Sequence, residues 1–243
     1  MLAEISVTAQ VNTEKFRNPA DTSRFGGYTL LDLYMRTGNV DIAEIGLSGR
    51  LDLHLQSSMI FLIINSEYGW KNKVQYSDEA LLHLRYQYEW LSNIKPEFFL
   101  QGDYNKARKL LSRFLAGGGL RFRLVQDGSV AGWYGTSFFK EIEEYDLTAR
   151  DHHPEHTSVV RWNNYLSVMY TKSGNIEFSG VLYYQPRLNA FNDYRVLNEN
   201  FLRIILTKRL SLTVTVTLHY DSEPPDEIEK LDTRSRLGFG FKF

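Results

Sequence analysis

The chain ends in a segment, Asp232 to Phe243, whose side chains alternate without a break. Leu237, Phe239, Phe241 and Phe243 fall on one face, and Arg236, Gly238, Gly240 and Lys242 on the other. A period of two is the signature of an extended strand. One face suits hydrocarbon and the other suits water or charge, which is what a lipid-spanning barrel demands of every strand. The same dyad recurs upstream. From Leu210 to Asp221, the residues Leu210, Leu212, Val214, Val216, Leu218 and Tyr220 oppose Ser211, Thr213, Thr215, Thr217, His219 and Asp221. Ile45, Leu47, Leu51, Leu53 and Leu55 oppose Glu44, Ser48, Arg50, Asp52 and His54. Leu82, Leu84, Tyr86, Tyr88 and Trp90 oppose His83, Arg85, Gln87 and Glu89.

No stretch reaches the roughly 18 consecutive apolar residues of a membrane helix, so a helical membrane protein is excluded. A mean hydropathy of -0.34 is no objection to a barrel, because a spanning strand shows lipid only every second residue. The 15 Tyr, 15 Phe and 4 Trp suit interfacial girdles. With no cysteine, disulfides and thiolate metal sites are excluded. A net charge of -1 gives no case for nucleic acid as a partner. Met1-Leu2-Ala3-Glu4 lacks the charged and apolar regions of a secretory leader, so a signal peptide is expected to have been removed.

Fainter alternation occupies 26–37, 58–68, 95–104, 113–125, 129–140, 157–170, 175–185 and 195–207. Together with the clean cases this predicts an all-β, antiparallel up-and-down transmembrane barrel of about twelve strands, an even number as bacterial barrels have. The barrel domain is expected over 25–243, and 1–24 reads as an N-terminal arm or plug. Short turns are expected at 56–57, 91–94, 126–128, 171–174 and 208–209. Long outer loops are expected at 69–78, 103–112, 141–156, 186–194 and 222–231, with a short outer connection at Thr37-Gly38-Asn39. A soluble sandwich or lipocalin-like barrel would alternate with its apolar face inward. Strand length and the aromatics near strand ends, Tyr68, Trp70, Trp90, Tyr104, Tyr170 and Tyr220, favour the membrane barrel.

The strand entering Thr37-Gly38-Asn39, the Asp221-Ser222-Glu223-Pro224-Pro225-Asp226 loop, and the closing Lys230-Leu231-Asp232-Thr233 strand ending in Phe resemble the salt-induced outer-membrane family. That family is also called domain of unknown function 481, or YdiY-like. The resemblance implies an outer-membrane barrel of Gram-negative cells with no established activity, and it transfers no catalytic residue. Phe239, Phe241 and Phe243 further resemble the membrane-insertion signal read by the barrel-assembly machinery. Outer-membrane lipid and lipopolysaccharide are the expected surroundings.

The inward rows are rich in arginine: Arg50, Arg85, Arg121, Arg123, Arg161, Arg203, Arg234 and Arg236 share the inner phase with Glu44, Asp52, Glu89, Glu177, Asp221 and Asp232. Two readings stand beside each other. One is a narrow, anion-leaning pore; the other is a plugged barrel whose charges pair across the lumen. The loop from Arg150 to His156 gathers His152, His153 and His156, yet its spacing matches no metal motif, and a solvated loop is expected. Glu141, Glu143, Glu144 and Asp146 read as a solvating run beside it. Ser211 and Thr215 near His219, with Ser48 and Ser167, are the residues an outer-membrane lipid hydrolase would use. No supporting motif accompanies them, and His54 and His83 read as lumen hydrogen-bonders. Gly117-Gly118-Gly119 reads as a strand bend. The expectation is a passive, non-enzymatic envelope protein or narrow pore, linked by the resemblance to salt or osmotic stress, without cofactor or metal. A lipid hydrolase or a soluble binding barrel is the alternative.

Overall fold

The computed structural model describes residues 24–38, 40–172 and 175–243. Twelve strands follow one another: β1 (Phe25–Arg36), β2 (Ile42–His54), β3 (Ser58–Lys71), β4 (Val74–Tyr88), β5 (Ile94–Asn105), β6 (Leu110–Asp127), β7 (Val130–Tyr145), β8 (His156–Lys172), β9 (Ile176–Arg187), β10 (Ala190–Ile205), β11 (Leu210–Asp221) and β12 (Leu231–Lys242). Each pairs antiparallel with its neighbours in sequence, and β12 returns to β1, so the sheet closes on itself. This is the up-and-down barrel the alternation predicts. Among the described residues no helix is long and apolar enough to cross a membrane.

The alternation sets the two surfaces. On β4, Leu82, Leu84, Tyr86 and Tyr88 face outward and are exposed, while His83, Arg85 and Gln87 face inward and are buried. On β12, Leu237, Phe239, Phe241 and Phe243 are exposed and Gly238 and Gly240 are buried. Such a surface is unstable in water and stable in hydrocarbon, as expected of a transmembrane barrel. Tyr68 and Trp70 lie near one rim, Trp90 and Tyr170 near the other, all exposed. On the outside, Tyr194 packs against Tyr184 and Tyr220 with ring centroids 5.7 Å apart in both pairs. These are the girdles of a lipid-facing belt.

The start of β1, the end of β12 and the turns at 55–57, 89–93, 128–129 and 206–209 lie at one end of the barrel, the near end. At the far end the long loops expected from sequence shrink. The β3–β4 turn is only Asn72 and Lys73, both with positive φ, and the β9–β10 turn is only Leu188 and Asn189. The connection expected over 103–112 is largely strand and a 3-10 turn, Lys106–Arg108. The acidic run at 141–145 is the end of β7, not loop, and Glu141 and Glu143 are buried within the barrel. The physical reason is shared by all of them: beyond the lipid the outward face no longer needs to be apolar, so alternation fades while the hydrogen-bond ladder continues. The loops 146–155 and 222–230 are longer. The expected N-terminal arm or plug falls almost wholly outside the described residues.

Glycines give the interior room. Gly117 to Gly119 sit in a ladder with β5 and β7 that runs through them without a register shift. A Cβ on Gly119 would stand 2.4 Å from Ser137 Cβ and 2.1 Å from the Thr136 carbonyl oxygen. On β7 a Cβ at Gly135 would meet the Tyr165 ring at 2.0 Å. Gly135→Val is therefore expected to displace that ring and cost about 1–3 kcal/mol by overpacking, read as a lower urea midpoint for the refolded barrel.

Candidate functional site: the barrel interior and its far mouth

Half of every strand points inward, and the space it points into is mostly protein. Near mid-barrel, Phe99, Leu115 and Phe139 form one apolar cluster, and Tyr165, Val181, Tyr183 and Leu197 another. Met59, Phe61, Ile63 and Leu81 form a third, beside the guanidinium of Arg50, which lies 4.1 Å from the centre of the Phe61 ring. Charges are threaded between these clusters. Arg85 reaches Glu97 at 3.3 Å, and the Tyr165 hydroxyl donates to the same carboxylate at 2.9 Å from three strands away. A charge buried beside apolar side chains is costly unless it is paired, so each of these contacts is a condition of the fold.

The densest network lies toward the far end. Arg195 on β10 donates through Nε to Asp221 at 2.8 Å and through Nη1 to Glu141 at 2.7 Å, and also meets Glu143 at 3.0 Å. Arg161 donates to the other oxygen of Glu141 at 2.7 Å and pairs with Asp193 at 2.9 Å. Arg113 pairs with Asp103 at 2.9 Å. Three guanidinium groups and five carboxylates thus hold β5 to β8, β10 and β11 to one another.

All eight arginines singled out in the sequence lie on inward positions, and six have a carboxylate partner. Arg50 pairs with Asp52 at 2.7 Å, Arg85 with Glu97, Arg161 with Glu141, and Arg203 with Glu177. Arg234 pairs with Glu67 at 2.6 Å and Glu79 at 3.3 Å, and Arg236 also contacts Glu67. Arg121 stands 4.5 Å over the ring of Trp133, and Arg123 follows it two residues on. Arg108, Arg113 and Arg195, with Glu67, Glu97, Glu141 and Glu143, were not picked out as inward charges from sequence. Arg113 and Arg195 share the phase of Arg121 and Arg203 on their strands, so strict parity finds them.

Arg108 carries no such signal. It ends the 3-10 turn between β5 and β6, where the Asn105 side chain accepts from its amide at 3.1 Å and Lys109 takes a left-handed conformation, φ 58°. The turn aims Arg108 across the mouth to Asp232 on β12, at 3.0 Å, and to His219 on β11. Those strands stand on the opposite wall. Beside it Lys109 pairs with Glu227 at 3.0 Å and Asp151 at 3.6 Å, and Asp226 accepts from the His152 amide at 2.7 Å. One short turn and two loops therefore latch over the far mouth. The hydrogen bond to Glu227 raises the Lys109 pKa, and the Asp151 attraction adds to it. The Thr148 amide depresses the Asp151 carboxyl, and the His152 amide and ring depress Asp226.

The other residues marked in the sequence do not assemble a reaction centre. Ser211 Oγ lies 2.7 Å from the Tyr28 hydroxyl. His219 is eight positions along the same strand, about 26 Å at the rise of an extended chain. His83 bonds Gln101 at 3.0 Å. His152 meets Asp226, while His153 bonds the Pro154 carbonyl. Among the described residues no three of His, Cys, Asp or Glu gather as a metal would need.

Two outcomes follow. Arg195→Met removes the guanidinium that three buried carboxylates share, leaving Glu141 to Arg161 alone, and is expected to cost about 3–5 kcal/mol, read by urea unfolding of the refolded barrel. Depressed carboxyls contribute their stability above the ordinary Asp pKa and lose it as pH falls through their lowered values. The His152 amide resonance is therefore expected to titrate with a midpoint below about 4, leaving the His152–Asp226 contact intact at mildly acid pH.

Comparison with known proteins places this geometry. The NanC porin shares the fold, with a TM-score of 0.54 at 11% identity, covering 89% of this chain and 100% of that one. The KdgM porin gives a TM-score of 0.49 at 13% identity, covering 90% of this chain and 99% of that one. No curated protein matches the sequence. A family model described as "Protein of unknown function, DUF481" matches residues 33–243, and the chain, a closed twelve-stranded barrel with a paired and buried interior, belongs to that family.

Proposed function

We propose that this chain is a bacterial outer-membrane barrel that acts passively in the envelope, and that the state described here is shut to solute flow. The observation that carries the reading is the mid-barrel layer: His83, Arg85, Glu97, Asn163 and Tyr183 have 0% exposure. Water does not reach them, so no aqueous path runs along that wall of the lumen. The six inward arginines that meet carboxylates then serve as ion-pair staples. A guanidinium already neutralised by Glu67, Glu97 or Glu141 has little field left to draw an anion through. The far end, with its latch of loops, faces outward toward lipopolysaccharide, and the near end faces the periplasm. Phe239, Phe241 and Phe243 form the row offered to the barrel-assembly machinery during insertion.

Conductance in a planar bilayer is the test, with insertion established separately by heat-modifiable mobility on gels. An inserted, folded barrel that stays electrically silent is expected. Stable, anion-biased channels would overturn the closed reading and return the arginines to the role of a selectivity row. The triple substitution Arg121→Ser, Arg123→Ser and Arg203→Ser would then lower the anion preference.

A further inference from the structure

The wall of the barrel is not closed along its whole height. At the seam between first and last strands the ladder holds only five residue pairs, Tyr28 to Asp32 with Lys242 to Gly238, and Gly27 with Phe243 extends it by one more at the near end. Every other seam pairs nine or more, the shortest being β4 with β5. Beyond Asp32, the residues Leu33 to Arg36 pair with β2 alone, and Leu231 to Leu237 pair with β11 alone. A cavity of about 690 Å³ occupies the place where those two edges part. It runs from Leu33 and Leu237 on the outer surface inward to Glu67, Tyr76, Arg234 and Arg236.

The height of this gap determines what can fill it. Register across β1, β2 and β3 puts Leu33 level with Ile45 and Tyr68, and Met35 level with Ala43 and Trp70. Tyr68 and Trp70 belong to the far aromatic girdle, the level at which lipid headgroups begin. Backbone donors and acceptors left open at that level require polar partners, because hydrocarbon offers none. The rims are apolar and turned to the bilayer, with Leu33 at 64%, Met35 at 78% and Leu237 at 61% exposure. Behind them the lining is charged. Glu44 accepts from the Tyr76 hydroxyl, while Glu67 is shared by Arg234 and Arg236. Arg36 and Lys71 line the same cavity and form no ion pair among the described residues. A molecule that fits has a hydrocarbon part for the rims and an anionic head for these two cations and the open backbone groups.

We propose that the β1–β12 gap is a lateral portal that seats the phosphate headgroup of an outer-leaflet lipid, with Arg36 and Lys71 as its binding cations. The far mouth is latched over by Arg108 and Lys109, so the side wall is the route by which such a headgroup reaches the interior. The proposal rests on the chain being inserted in a membrane, which heat-modifiable mobility reports independently of lipid binding.

The experiment is native mass spectrometry of the full, refolded chain titrated with dioleoyl phosphatidic acid or dioleoyl phosphatidylcholine, with inorganic phosphate as competitor. At least tenfold tighter binding of phosphatidic acid is expected, with loss of at least tenfold in the double variant Arg36→Ser, Lys71→Ser. Because the chain has no cysteine, the gap can be stapled by Met35→Cys with Ser235→Cys, the positions that would face each other if the register continued. Oxidation of that pair is expected to abolish binding and dithiothreitol to restore it. Equal binding of both lipids, equal binding in the oxidised and reduced staple, or an unaffected Arg36, Lys71 variant would each overturn the portal. Displacement by millimolar inorganic phosphate alone would show a free-phosphate site and overturn the lipid assignment. Dimers that form in place of a lipid complex would show that the open edges pair with a second copy instead.

Discussion

A barrel in lipid must keep every charge on the inside, where water is scarce, and this constraint governs the structure from the strands to the loops. A buried arginine is costly there without a partner, and most of these strands' cations meet a carboxylate, in most cases one carried by another strand. Arg195 shows how far the pairing reaches: its guanidinium is met from β7 and from β11 at once. Because the partners come from different strands, the pairs act as ties across the lumen as well as neutralising charge. The glycines of β6 and β7 are part of the same arrangement, since without their missing Cβ atoms the Tyr165 ring and the Ser137 side chain would have no place.

The outer face and the inner face were legible in the sequence to very different depths. The strand count, the phase of each strand and the inward placement of the eight arginines follow from a period of two, which local sequence carries in full. Strand ends at the far side do not follow, because the cue for a spanning strand is an apolar outward residue and that cue stops at the edge of the lipid. Glu141-Ile142-Glu143-Glu144 reads as a solvated run for this reason, yet it continues the ladder and supplies two of the most buried carboxylates. Partner choice lies deeper still. That Arg108 ends on Asp232 depends on two segments 124 positions apart meeting over a circular mouth. Nothing in either segment announces it.

The same limit applies to function. Inward arginines alone suit either an anion path or a set of staples, and what separates the two is whether carboxylates are near enough to cancel them. Distances of 2.6–3.3 Å to Glu67, Glu79, Glu97 and Glu141 separate them in favour of pairing for most of the row. Family membership adds the fold and not the task, and the NanC likeness, at 11% identity, likewise speaks to the barrel alone.

The terminal phenylalanine bears on the order in which the barrel comes together. Phe243 exchanges backbone hydrogen bonds with Gly27 at 3.2 Å in both directions, and its ring covers the surface where Gly27 has no side chain. This clasp joins the two most distant parts of the sheet in sequence, so it closes the largest loop in the barrel. The entropy of that closure grows only slowly with loop length, but no hairpin next to it can share the loss, because every other seam is local. Zipping of the eleven hairpin seams can therefore proceed as a series of short steps, and circularisation is left as a single separate event between the start of β1 and the end of β12.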